Sequence, residues 1–86
     1  MSHALQGEIN YIVETLEDHT YGDNVELVKK GIDVRLVYVH KSSEWIFMDY
    51  RTDKFINDCS LEDILRQLSF RLIRELHEVV LNEFAL

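Results

Sequence analysis

Apolar residues recur along the first stretch of this chain at the three-and-four spacing of a helix, with Leu5, Ile9, Ile12, Val13 and Leu16 on one stripe. The spacing predicts an amphipathic helix from about Ala4 to Asp18, beginning near Ser2 or His3 without a strong cap. Gly7 falls on its polar side, where it costs about 1 kcal/mol relative to alanine. His19 to Asn24 then reads as a loop.

Beyond Asn24 the period shortens to that of strands. Asp23 and Glu26 imitate a helical capping box, so residues 24–29 can be read as a short helix, but cross-strand matching favours a strand. With Lys30-Gly31 as a two-residue turn, Leu27 opposes Val34, Val25 opposes Leu36, and Glu26 opposes Arg35. A three-residue loop, Lys41-Ser42-Ser43, sets the next hairpin and places Val39 opposite Trp45, Tyr38 opposite Ile46, Val37 opposite Phe47, Leu36 opposite Met48 and Arg35 opposite Asp49. Lys54-Phe55-Ile56 is short and charged enough to serve as a fourth, edge strand.

That register divides the sheet into two faces. Val25, Leu27, Val34, Leu36, Tyr38, Ile46, Met48 and Tyr50 make the face expected to meet the helices. The opposite face carries Glu26, Val28, Asp33, Arg35 and Asp49 at one end and Val37, Val39, Trp45 and Phe47 at the other. Two aromatic rings and two valines expose about 400 Å² of apolar surface, the scale at which a patch implies a partner.

The final element is predicted from its start signal. Cys59, Ser60, Asp63 and Ile64 occupy the N′, N-cap, N3 and N4 positions of a helix that runs to about Phe84, roughly 36 Å. Leu61, Leu65, Leu68, Leu72, Leu76 and Val79 form its main stripe, and Glu62 with Arg66, Arg71 with Glu75, and Arg74 with Glu78 form exposed pairs. Phe70, His77, Leu81 and Phe84 form a second seam, covered either by the first helix or by another chain. The expected fold is therefore α+β: a helix, a three-stranded antiparallel meander with an optional fourth edge strand, and a long C-terminal helix, with both helices on one sheet face.

Composition sharpens this outline. The chain has 86 residues, 47% of them hydrophobic and 29% charged, with no proline, which fits one small globular domain across residues 1–86. Its formal charge of −7 argues against binding a phosphate backbone. Residues 1–28 hold no lysine or arginine. Glu8, Glu14, Glu17 and Asp18 are either a solvated helix face or an acidic docking surface for a basic partner. A single cysteine, the absence of a leader pattern at the start, and no unbroken run near the roughly 18 apolar residues of a membrane span point to a soluble cytoplasmic protein.

Catalytic and metal chemistry has little support. His3, His19, His40 and His77 show neither a His-x3-His pair nor cysteine companions. Asp18, His19 and Asp23 lack the ligand spacing of a calcium loop, and Ser42 and Ser43 sit in a hairpin turn rather than on a nucleophile elbow. Gly7, Gly22 and Gly31 are too scattered to cradle phosphate. No cofactor is expected. The order helix, meander, helix resembles the double-stranded RNA-binding domain in architecture, and that resemblance implies helices packed on one sheet face. Ser60-Leu61-Glu62-Asp63 stands where such domains place lysines for phosphates, so the resemblance implies no RNA binding here.

Three functions fit these features. The favoured one is a small acidic noncatalytic interaction or regulatory module, preferentially a homodimer, that meets a second copy or another protein through Val37, Val39, Trp45 and Phe47 or through Phe70, His77, Leu81 and Phe84. The second is an acidic nucleic-acid mimic of the counter-defence type, occupying the basic cleft of a partner protein. The third is a small enzyme whose site forms between subunits.

Overall fold

The computed structural model describes residues 5–20 and 25–84. The expected helix start at Ser2 or His3 and the loop residues Tyr21 to Asn24 lie outside them. Within the described residues the elements are α1 (Gln6–Glu17), β1 (Val25–Lys30), β2 (Val34–Val39), β3 (Glu44–Asp49), β4 (Lys54–Ile56), α2 (Leu61–Arg66) and α3 (Phe70–Phe84). The four strands form one antiparallel sheet in the order β1-β2-β3-β4. The α+β class, the order of elements and a long final helix agree with the sequence pattern. Residues 25–30 are strand, and Lys54–Ile56 is the fourth strand at the sheet edge.

All three helices pack on one face of the sheet. Leu5 at the N-cap of α1 with Ile9, Ile12 and Leu16 inside it, Leu61, Ile64 and Leu65 from α2, and Leu72, Ile73, Leu76 and Val80 from α3 share one core with Val34, Leu36, Trp45 and Phe47. Helix α1 lies against both α2 and α3, while α3 also crosses β1.

Both hairpin registers differ from those predicted. The loop joining β2 to β3 has four residues rather than three: His40–Ser42 form a single 3-10 turn, and Ser43 closes it in the left-handed region at φ 53°. Val39 therefore pairs with Glu44, Tyr38 with Trp45, Leu36 with Phe47, and Val34 with Asp49. A shift of one residue reverses every side chain of the strand. Trp45 and Phe47 accordingly turn into the core, where they are 7% and 0% exposed, and Ile46 and Met48 take the opposite face. The aromatic pair gains more from burial than the aliphatic pair would, because its apolar area is larger and three helices leave room for it.

The β1–β2 turn has also moved. It comprises Gly31, Ile32 and Asp33, with Gly31 at φ +63°, and places Val28 opposite Leu36 and Lys30 opposite Val34. A bulge between Glu26 and Val28 lets the consecutive residues Leu27 and Val28 both enter the core. Glu26 and Arg35 are thus diagonal neighbours instead of direct partners, yet their ion pair forms at 3.7 Å. Arg35 does not bridge to Asp49, because Asp49 has turned to the helix side.

The expected helix from Ser60 to Phe84 is interrupted at residues 67–69. Ser60 caps α2 by accepting from the Asp63 N–H at 3.1 Å. Ser69 then caps α3, its Oγ accepting from the Leu72 N–H at 3.2 Å. Buried Leu68 and Ile73 occupy the N′ and N4 positions around that second cap. Glu62 and Arg66 pair at 2.7 Å, and Arg71 and Glu75 at 3.9 Å, on the exposed sides of the two helices.

This packing makes neighbouring residues of β3 unequal. Phe47→Ala is expected to cost about 3–5 kcal/mol, a large share of the roughly 4–13 kcal/mol available to a domain of this size, so thermal denaturation followed by circular dichroism should show a much lower or absent transition. Ile46→Ser, on the opposite face, should retain the native far-ultraviolet spectrum and a cooperative transition.

Candidate docking surface

The helix-free side of the sheet is built from alternate residues of β2 and β3 with one residue of β4. Arg35, Met48 and Phe55 stand side by side in one row, Val37 and Ile46 in the next, and Val39 and Glu44 in the third. Val37, Val39, Ile46 and Met48 are half-buried. Tyr50 follows β3 and donates from its hydroxyl to the Met48 sulfur at 3.3 Å, which brings it to the same side. Tyr50 and Phe55 are 59% and 60% exposed. Among the described residues, no helix packs on this face.

The apolar second face inferred from the sequence therefore exists with a changed membership. Val37 and Val39 belong to it, whereas Trp45 and Phe47 do not, because the longer β2–β3 loop turns them inward. Ile46 and Met48 replace them, and Tyr50 and Phe55 extend the patch toward the β4 edge. The cross-strand partner of Met48 on a three-residue edge strand is what brings Phe55 into it.

The second seam has a different fate. His77 meets Tyr11 of α1 edge-to-face at 5.3 Å, and Phe84 lies against the His19 ring at 4.8 Å. His19 is held by a 2.8 Å contact between its Nδ1 and the Thr15 carbonyl. Thus α1 covers His77, His19 just beyond its end covers Phe84, and Leu81 beside them is half-buried. Phe70, two turns before His77 at the start of α3, is 46% exposed. On α1, Glu14, Glu17 and Asp18 are exposed and Glu8 is half-buried, so the acidic residues line the solvent side of the helical layer.

A concavity that brings several polar groups together lies elsewhere, between the β3–β4 turn and the break between α2 and α3. It is an open cleft of about 420 Å³ lined by Asp49, Thr52, Lys54, Leu68, Ser69 and Leu72 among others. Asp49, only 3% exposed, accepts from the Arg51 backbone N–H at 3.0 Å and from Nε and Nη2 of the same residue at 3.1 and 3.2 Å. These bonds, led by the one from the Arg51 side chain, hold the Asp49 carboxyl below the usual carboxylate range, although burial alone acts in the other direction. The Ser69 hydroxyl is committed to the α3 cap, and the Lys54 ammonium donates to the Gln67 carbonyl at 3.1 Å. Lys54 thus ties the β3–β4 turn to the helix break, while Asp49 with Arg51 closes the turn.

Among the described residues, no three of His, Cys, Asp and Glu are grouped so as to hold a metal ion, and no helix is long and apolar enough to cross a membrane. His3 and Asp23 lie outside those residues. Compared with protein-family models, curated proteins and solved structures, the chain matches none.

The Asp49–Arg51 pair has a pH signature. A carboxylate whose folded pKa is depressed contributes stability that is complete above its ordinary value of 3.8 and declines as pH falls through the lower folded value. Asp49→Asn should therefore be less stable than the native chain at neutral pH. Urea titrations at a series of pH values should show that difference shrinking below about pH 4.

Proposed function

We propose that this chain is a small noncatalytic interaction module that self-associates through the helix-free face of its sheet. The observation that carries this reading is the continuous apolar patch of Val37, Val39, Ile46, Met48, Tyr50 and Phe55, with two aromatic residues more than half exposed. Exposed apolar surface of this kind is removed from water most simply by another protein surface. A second copy fits the face because its charges cancel: Glu26 and Glu44 stand against Lys29 and Arg35, in a chain whose formal charge is −7. Two copies approaching by their helical sides would instead set Glu14, Glu17 and Asp18 against one another.

The remaining features are compatible with a binding role. Beside the cleft, the Asp49 carboxylate, the Ser69 hydroxyl and the Lys54 ammonium are engaged in bonds that hold the fold, which supports a noncatalytic reading. The lone Cys59 and the acidic balance support a reducing, cytoplasmic setting and a protein partner rather than nucleic acid.

Light scattering across a dilution series should show the mass of the native chain passing from dimer to monomer, with a midpoint at about micromolar concentration or above, as small interfaces sit at the weak end of the range. Ile46→Asp should remain monomeric throughout with an unchanged far-ultraviolet spectrum. A native chain that stays monomeric at millimolar concentration, or an Ile46→Asp variant that dimerises as strongly, would contradict self-association through this face.

A further inference from the structure

We infer that the two copies meet face to face about a two-fold axis running across the strands through the Val37–Ile46 row, so that Arg35 of each copy takes the Glu44 carboxylate of the other. This rests on the self-association proposed above and specifies its geometry. It starts from the Arg35 guanidinium, which borders the apolar patch. Glu26 of the same chain stands 3.7 Å from Nε, and Nε itself is buried, but the side chain as a whole is 39% exposed. The exposed remainder of the guanidinium is what an incoming carboxylate can meet, in a charge-assisted hydrogen bond.

The rows of the face determine which acceptor a second copy brings. Arg35 lies in the row on one side of Val37 and Ile46, and Glu44 in the row on the other. A two-fold axis across the strands exchanges those outer rows while stacking Val37 and Ile46 on their own counterparts. Arg35 then faces the Val39 position of the other copy, and the Glu44 position lies one strand away, about 4.8 Å to the side. An arginine side chain spans that offset across the ~10 Å separating packed sheets. An axis parallel to the strands between β2 and β3 instead seats the Glu44 carboxylate against Val39 and Arg35 against Met48, desolvating both charges without pairing them. Both arrangements keep the strands of the two sheets aligned, as in sheet sandwiches, and the first alone forms the ion pair, twice by symmetry.

The area is consistent with a reversible contact. The apolar centre is small, since Val37, Val39, Ile46 and Met48 are each half-buried, and it falls well short of the roughly 800 Å² each partner contributes to a standard interface, so the paired charges at its rim govern much of the specificity.

The test is a charge exchange within the full chain, read by sedimentation equilibrium. Arg35→Glu and Glu44→Arg should each weaken dimerisation by about tenfold or more, and the double variant, which exchanges the two charges, should recover most of that loss. The conservative Arg35→Gln and Glu44→Gln should each show a smaller loss, and they provide the comparison if a reversal disturbs the β2–β3 loop, where Glu44 also accepts from Ser42 and Asn57. Dimerisation that is unchanged in the single variants, or a double variant as weak as either single, would overturn this arrangement while leaving self-association standing. A native chain that never dimerises would overturn both.

Discussion

The face that each residue of the sheet presents depends on the loop from His40 to Ser43. Its 3-10 turn brings the Ser43 N–H back to the His40 carbonyl at 3.2 Å, and the left-handed Ser43 turns the chain into β3. A loop of that length makes Val39 and Glu44 the first pair of the ladder, and each later pair follows from it. Strand periodicity makes the outcome binary: Trp45 and Phe47 go inward and Ile46 and Met48 outward, or the reverse.

The helical layer is built around the inward choice. Phe47 is fully buried with Leu36 beside it on β2, and Tyr38 stacks at a tilt against Trp45 with ring centroids 5.1 Å apart. Three helices surround this aromatic centre. The break at residues 67–69 lets α2 and α3 each direct its own stripe into the core, with Ile64 and Leu65 from one and Ile73 and Leu76 from the other. The same register brings Asp49 to the helix side, where a carboxylate needs the Arg51 side chain to remain charged. The core and the buried ion pair at its margin therefore share one geometric origin.

Much of the architecture is legible in the residue pattern because it rests on local signals. The stripe of Leu5, Ile9, Ile12 and Leu16 specifies α1, Ser60 with Asp63 specifies the start of α2, and a short segment led by Lys54 specifies an edge strand. The β2–β3 register is less legible for a physical reason. Leu36 to Val39 and Trp45 to Met48 are apolar at every position, so two registers one residue apart match side chains almost equally well. The choice between them comes from loop geometry and from the space beneath three helices, and neither is a property of the paired residues. Charge matching favoured the other register through Arg35 and Asp49, but a surface ion pair contributes too little to outweigh the burial of Trp and Phe. The second cap was visible in Leu68, Ser69 and Ile73, although an uninterrupted leucine stripe masked it.

A continuous apolar run in both central strands also explains why a second apolar face exists in either register. One register leaves Trp45 and Phe47 outside, and the other leaves Ile46 and Met48. The apolar outer face survives while the residues that form it change. The fluorescence of Trp45, the chain's single tryptophan, distinguishes the two most directly when measured at a dilution that leaves the chain monomeric. This fold requires a blue-shifted emission maximum and strong protection from acrylamide under those conditions, because the indole is 7% exposed within one copy. Emission and quenching close to those of free tryptophan would place Trp45 on the outer face and contradict the register on which the fold and the proposed interface both depend.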